Sequence, residues 1–123
     1  MIFNPKSYRD LIVWQKAKTL TLKIYHILKG FPKEEMYGLN SQMKRCAISV
    51  ASNIAEGNQK YGKKEKLRFL NIAQGSLIEL DCQLDIGLAL GFIKENEYKE
   101  TLELINKTGY LLCRFIQYEI DRK

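Results

Sequence analysis

Between Lys60 and Arg68 the chain reads KYGKKEKLR, four lysines and an arginine around a single glutamate, with Tyr61 among them. Ammonium and guanidinium groups at this density can neutralise phosphates, and an aromatic ring beside them can stack on an unpaired base. Lys60, Tyr61, Lys63, Lys64, Lys66 and Arg68 are therefore the candidate nucleic-acid contacts. The competing reading is an ordinary solvated surface, because basic loops are common. A second polar pattern is Arg45, Ser49, Ser52 and Glu56, spaced four, three and four apart, with Gln42 and Asn53 beside it. That spacing draws one line along a helix. It is either a wet face with weak intrahelical pairs or a close contact between subunits, in which Arg45 and Glu56 find partners across the interface.

Other reactive side chains do not assemble into a catalytic pattern. His26 is the single histidine, with no serine or cysteine motif near it in sequence. No Glu-x-x-His pair supplies a bundle-type metal site, and no phosphate-binding glycine loop is present, Gly57, Gly62 and Gly75 reading as a cap, a turn and a packing position. Asp81 and Asp85 share a face one turn apart, as salt-bridge partners commonly do. Cys46, Cys82 and Cys113 are odd in number and lack C-x-x-C spacing, so they read as buried free thiols. No enzyme and no cofactor is expected.

These residues must be positioned by helices. At 123 residues, with 46% hydrophobic and 28% charged residues, the chain suits one soluble domain with a single core. Prolines occur only at Pro5 and Pro32, outside the apolar periodicities, and no strand-like alternation competes. The stretch LNSQMKRCAISVASNIAEG, Leu39 to Gly57, reads as the central helix. Leu39, Met43, Cys46 or Ala47, Val50 and Ile54 line its buried face, Asn40 or Ser41 caps its start, and Gly57 closes it.

A first helix spans about 7–29, with Ser7 as a possible cap and Asp10 or Leu11, Trp14, Ala17, Leu20 or Thr21, Ile24 and Leu28 in its stripe. The third spans about 63–90, with Leu70, Ala73, Leu77, Leu80, Leu84 and Leu88, and Gly91 stops it. The fourth spans about 95–121, with Tyr98, Leu102, Ile105, Gly109, Leu112 and Ile116. The expected fold is all-α, an up-down-up-down four-helix bundle. Additional apolar residues, Ile72, Ile78, Cys82, Ile86 and Leu90 on the third helix and Leu104, Leu111, Phe115 and Tyr118 on the fourth, exceed what one seam requires. They are expected to support self-association, the latter four as subunit interface.

Four segments taken in order, LIVWQKA at Leu11–Ala17, FPKEEMYGL at Phe31–Leu39, the run from Gln42 ending NIAEG at Gly57, and FLNIAQGSLIEL at Phe69–Leu80, resemble the four-helix-bundle family named after 23S rRNA intervening sequences. The resemblance covers about residues 8–120. Cys46 stands where that family usually has alanine, and Lys44 where it often has arginine. The resemblance implies a left-handed four-helix bundle assembled as a ring-like homopentamer, with no established catalytic activity. A related branch, accessory proteins of diversity-generating retroelements, implies nucleic acid and a reverse transcriptase as partners.

Net charge is +6, from 20 Lys and Arg against 14 Asp and Glu, which favours an anionic partner. In an up-down bundle the N-terminus, the second loop and the C-terminus share one end. That end collects nine cations, Lys6, Arg9, Lys60, Lys63, Lys64, Lys66, Arg68, Arg122 and Lys123, against five acids; the opposite end has four cations and five acids. No apolar run of signal-peptide kind follows Met1, and the stretch from Ile86 to Ile93 is too short to span a bilayer. A cytoplasmic protein without a membrane partner is expected.

Overall fold

The computed structural model describes residues 7–123. Among them the chain forms four α-helices and two short 3-10 turns: α1 Ile12–Leu28, α2 Leu39–Gln59, α3 Lys63–Ala89 and α4 Glu95–Asp121, with 3-10 turns at Tyr8–Asp10 and Lys33–Glu35. At 1.5 Å per residue the two longest helices run roughly 40 Å. α2 packs on α1 and α3, α4 packs on α3 and α1, and the diagonal pairs do not meet. This is the square of an up-down-up-down bundle.

Its core is drawn from all four helices. Ala17, Leu20, Ile24, Met43, Val50, Ile54, Leu70, Leu80, Leu84 and Leu112 are sealed from solvent. Each buried leucine or isoleucine contributes about 1.5–3 kcal/mol relative to exposure. Polar contacts set the register between helices. Thr21 Oγ1 reaches the Ala47 carbonyl (3.2 Å), the Ser49 and Ser76 hydroxyls meet at 2.8 Å, Lys23 pairs with Glu100 (2.9 Å), and the Tyr98 hydroxyl donates to Asp85 (2.8 Å).

Helix ends differ in detail from the sequence expectation, each for a local reason. Ser7 makes no side-chain cap; the 3-10 turn precedes α1, and the Gln15 amide donates to the Arg9 carbonyl (2.9 Å) to hold that turn against the helix. At the start of α2 the cap is neither Asn40 nor Ser41. Glu35 accepts from the Leu39 N–H (3.2 Å), while Asn40 lies within the helix and donates to the Leu28 carbonyl at the end of α1 (3.4 Å). Gly57 does not close α2, which continues to Gln59. A Cβ there would lie 3.2 Å from Leu70 Cδ2 and 3.3 Å from Phe69 Cβ, so Gly57 lets α3 approach closely. Gly91 does stop α3, at φ +81°, with the Phe92 N–H bonded to the Gly87 carbonyl (3.0 Å). Gly75 sits in open space and packs nothing.

The inward face of α4 is Thr101, Ile105, Thr108, Leu112 and Glu119, a phase rotated from the apolar stripe. Each threonine hydroxyl bonds a carbonyl of its own helix, Thr101 to Glu97 and Thr108 to Leu104, both at 2.7 Å, so burial leaves it satisfied. Glu119 is buried and accepts from Arg122 Nε (3.0 Å).

Only Cys46 of the three thiols is buried; Cys82 and Cys113 are exposed because they fall outside the inward lines of α3 and α4. Burial raises the Cys46 thiol above its ordinary pKa. In the native state Cys46 is expected to resist alkylation at pH 8. Cys46→Ala should leave the number of thiols titrated before denaturation unchanged, and loss of one native thiol would contradict this burial.

Candidate nucleic-acid interface

The α2–α3 connection is only Lys60–Gly62, so the basic segment spans that turn and the first turns of α3. The contact between Lys63 and the C-terminal carbonyls of α4 shows that this loop and the end of α4 share one end of the bundle. Phe31 and Phe92, with ring centroids 5.4 Å apart, bring the other two loops together at the opposite end. The charge partition read from the sequence is thus realised geometrically, although Lys6 lies outside the described residues.

The six candidate residues do not form one uniform patch. Lys66 is 6% exposed, and its ammonium donates to the Gly57 (3.2 Å) and Asn58 (3.1 Å) carbonyls at the end of α2. A cation there complements the negative end of that helix, so Lys66 belongs to the fold and is withdrawn from the set of phosphate ligands. Its position was legible: residues 66, 70, 73 and 77 follow the helical period of the buried stripe. Lys63 Nζ donates to the Ile120 carbonyl (3.0 Å) and to that of Arg122, tying α3 to the end of α4.

Arg68 and Glu65 form a two-bonded pair, Nε to Oε1 at 3.1 Å and Nη2 to Oε2 at 3.3 Å. The arginine's hydrogen bonds hold the Glu65 carboxyl below the usual range and raise the guanidinium in return. Both groups are exposed, so solvent screens the pair. The Arg68 guanidinium also lies 4.5 Å from the Phe69 ring centroid, and the Lys60 ammonium 5.0 Å from it. Phe69 thereby holds two cations at the surface. Lys64 is exposed, and Tyr61 is 80% exposed. Exposed here are Tyr61, Lys63, Lys64, Glu65 and Arg68, with Lys60 half-buried beside them, at the positive end of a 27-residue helix.

The expected interface residues also separate. Ser49 contacts Ser76 inside the chain and accepts from the Asn53 amide (3.0 Å), while Arg45, Ser52 and Glu56 are exposed. The polar line is therefore split, with its serine at position 49 turned into the α2–α3 seam. Leu104, Leu111 and Phe115 are partly buried against their own core, and Tyr118 is 62% exposed. The outer apolar residues of α3 are more open, Ile78 at 66% and Leu90 at 55%, with Ile72 and Ile86 also exposed. Among the described residues no group of three or more His, Cys, Asp or Glu could hold a metal ion, and no helix is long and apolar enough to cross a membrane.

A square four-helix bundle with a lysine-rich segment at one inter-helix turn is the class that fold and site define. Within that class the chain belongs to the family described as 23S rRNA-intervening sequence protein, whose model matches residues 9–114. Among solved structures it is similar to a protein with unknown function from the S23 ribosomal protein family of Bacteroides thetaiotaomicron, determined at 1.70 Å. The two share 21% identity and a TM-score of 0.79, over 86% of this chain and 96% of that one, a likeness of fold. Comparison with curated proteins finds no match.

Proposed function

We propose that the chain is a non-catalytic, homo-oligomeric bundle protein that binds nucleic acid, structured RNA foremost, through the end that carries the α2–α3 turn. The observation behind this reading is Tyr61, 80% exposed between Lys60 and Lys64 at the N-terminus of α3. Unpaired N–H groups and the helix dipole attract phosphate there, the lysines add full charges, and the phenol ring offers a stacking face. Self-association strengthens the reading, because a ring of parallel subunits sets one such patch beside the next. The homopentamer that the family resemblance implies would do this, with Ile72, Ile78 and Ile86 on the outer face of α3 as apolar surface for the contact.

The test is anisotropy of labelled structured RNA, titrated with salt beside a matched DNA duplex, together with the mass in solution by light scattering. Expected are a mass of five 14.3 kDa chains and a log–log salt slope that reports several phosphates neutralised at once. Absence of binding at low salt would remove the nucleic-acid role. A second reading is a protein-assembly scaffold whose partner is another protein, a reverse transcriptase among the candidates. Met36 and Tyr37, 54% and 92% exposed at the opposite end, favour it.

A further inference from the structure

The densest lysine cluster is not the only place where the chain carries excess positive charge. Residues 61–123 carry ten cations and ten acids, so the net +6 comes entirely from residues 1–60. From Leu11 to Lys33 there is no aspartate or glutamate at all, while five lysines fall in the same stretch. Most of this stretch is α1, so a single helix brings most of these cations to the surface.

At the start of that helix the cations meet aromatic rings. Tyr8 and Trp14 pack edge to face, centroids 4.9 Å apart at 70°. The Arg9 guanidinium lies 4.6 Å from the Tyr8 ring, and the Lys18 ammonium 5.8 Å from the Trp14 ring. Arg9, Trp14 and Lys18 line a groove of about 420 Å³, floored in part by Leu22. That volume lies in the range of small-molecule sites. Trp14 is the ring at the groove wall, and a ring flanked by two cations suits a flat heterocycle flanked by anions, whereas duplex bases, already stacked on one another, cannot reach it.

We propose that this α1 groove binds a single-stranded nucleic-acid segment, an unpaired base stacking on Trp14 and its flanking phosphates pairing with Arg9 and Lys18. The proposal rests on the nucleic-acid reading above and adds a second surface, distinct from the α2–α3 turn. It gives the protein a means to prefer RNA with an unpaired segment next to a helix, since the two surfaces would engage the two parts.

Trp14 is the only tryptophan, so its emission reports this groove alone. The intact chain is titrated with uridine and thymidine oligonucleotides of matched length, Trp14 emission and oligonucleotide anisotropy being followed together. Expected are saturable quenching that tracks the anisotropy and no quenching by polyglutamate of equal charge. Arg9→Glu/Lys18→Glu should weaken binding about tenfold or more and lower the salt slope by about two, with unchanged circular dichroism. Lys60→Glu/Lys64→Glu should keep the quenching. Binding without any change in Trp14 emission, or undiminished in Arg9→Glu/Lys18→Glu, overturns the groove and leaves the basic end standing. Equal quenching by polyglutamate overturns base stacking. Failure of every nucleic acid to bind overturns both. The uridine and thymidine arms tell RNA from DNA.

Discussion

Lys66→Glu lowers the stability of the domain by about 3–5 kcal/mol, seen in urea denaturation as a reduced midpoint at constant m and as a Tm lower by roughly 10–20 °C. The reason is the direction in which the α2 carbonyls point. A carboxylate at position 66 is buried where the ammonium now sits, faces the Gly57 and Asn58 oxygens at the negative end of α2, and has no donor to replace them. Lys66→Met, which loses the bonds but inserts no anion, is expected to cost about 2 kcal/mol. Lys64→Glu, two residues earlier and exposed on another face of α3, should stay within about 0.5 kcal/mol of the parent. Equal stability of the Lys64 and Lys66 variants would refute the structural role. The consequence for a charge-reversal scan is practical: a Lys66 variant that binds less does so through lost stability and not through a lost phosphate contact.

The second large effect is on affinity. Lys60→Glu/Lys64→Glu weakens structured-RNA binding about a hundredfold near 0.1 M salt and lowers the log–log salt slope by about two for each engaged subunit. The estimate follows from removing two phosphate contacts and setting two anions in their place. Lys63 is left intact in this variant because its ammonium reaches the Ile120 and Arg122 carbonyls, and reversing it would release the end of α4 as well as remove charge. A folded double variant with unchanged affinity and slope would sink the basic end as the binding surface.

The comparison of sequence with structure divides along a physical line. Helix number, order and most boundaries were legible because apolar spacing decides them: the expected 63–90 and 95–121 are Lys63–Ala89 and Glu95–Asp121. Polar residues on buried faces were missed. The threonines of α4 hide their hydroxyls on their own helix, and Glu119 hides its charge against Arg122, so the inward face of that helix carries less apolar character than its flanks. Leu104, Leu111 and Phe115, expected between subunits, are spent partly on the core for the same reason. At the candidate site composition singled out the α2–α3 turn, but composition cannot tell a lysine that faces water from one that faces carbonyls. Periodicity could have singled out Lys66. The α1 groove escaped because Tyr8, Arg9, Trp14 and Lys18 are spread over eleven residues and meet only once the 3-10 turn folds back on α1.

The seam between α1 and α4 joins the first of these four helices to be made to the last of them. α2 and α3 are linked by three residues, Lys60–Gly62, so their hairpin closes at little entropic cost while the chain is still growing. α1 can lie against α2 at that stage, but its other side stays uncovered until α4 has left the ribosome. At 5–20 residues per second the roughly hundred residues that separate α1 from the end of α4 take about 5–20 s to synthesise. For that interval the apolar side of α1 that α4 will cover stays open to other chains.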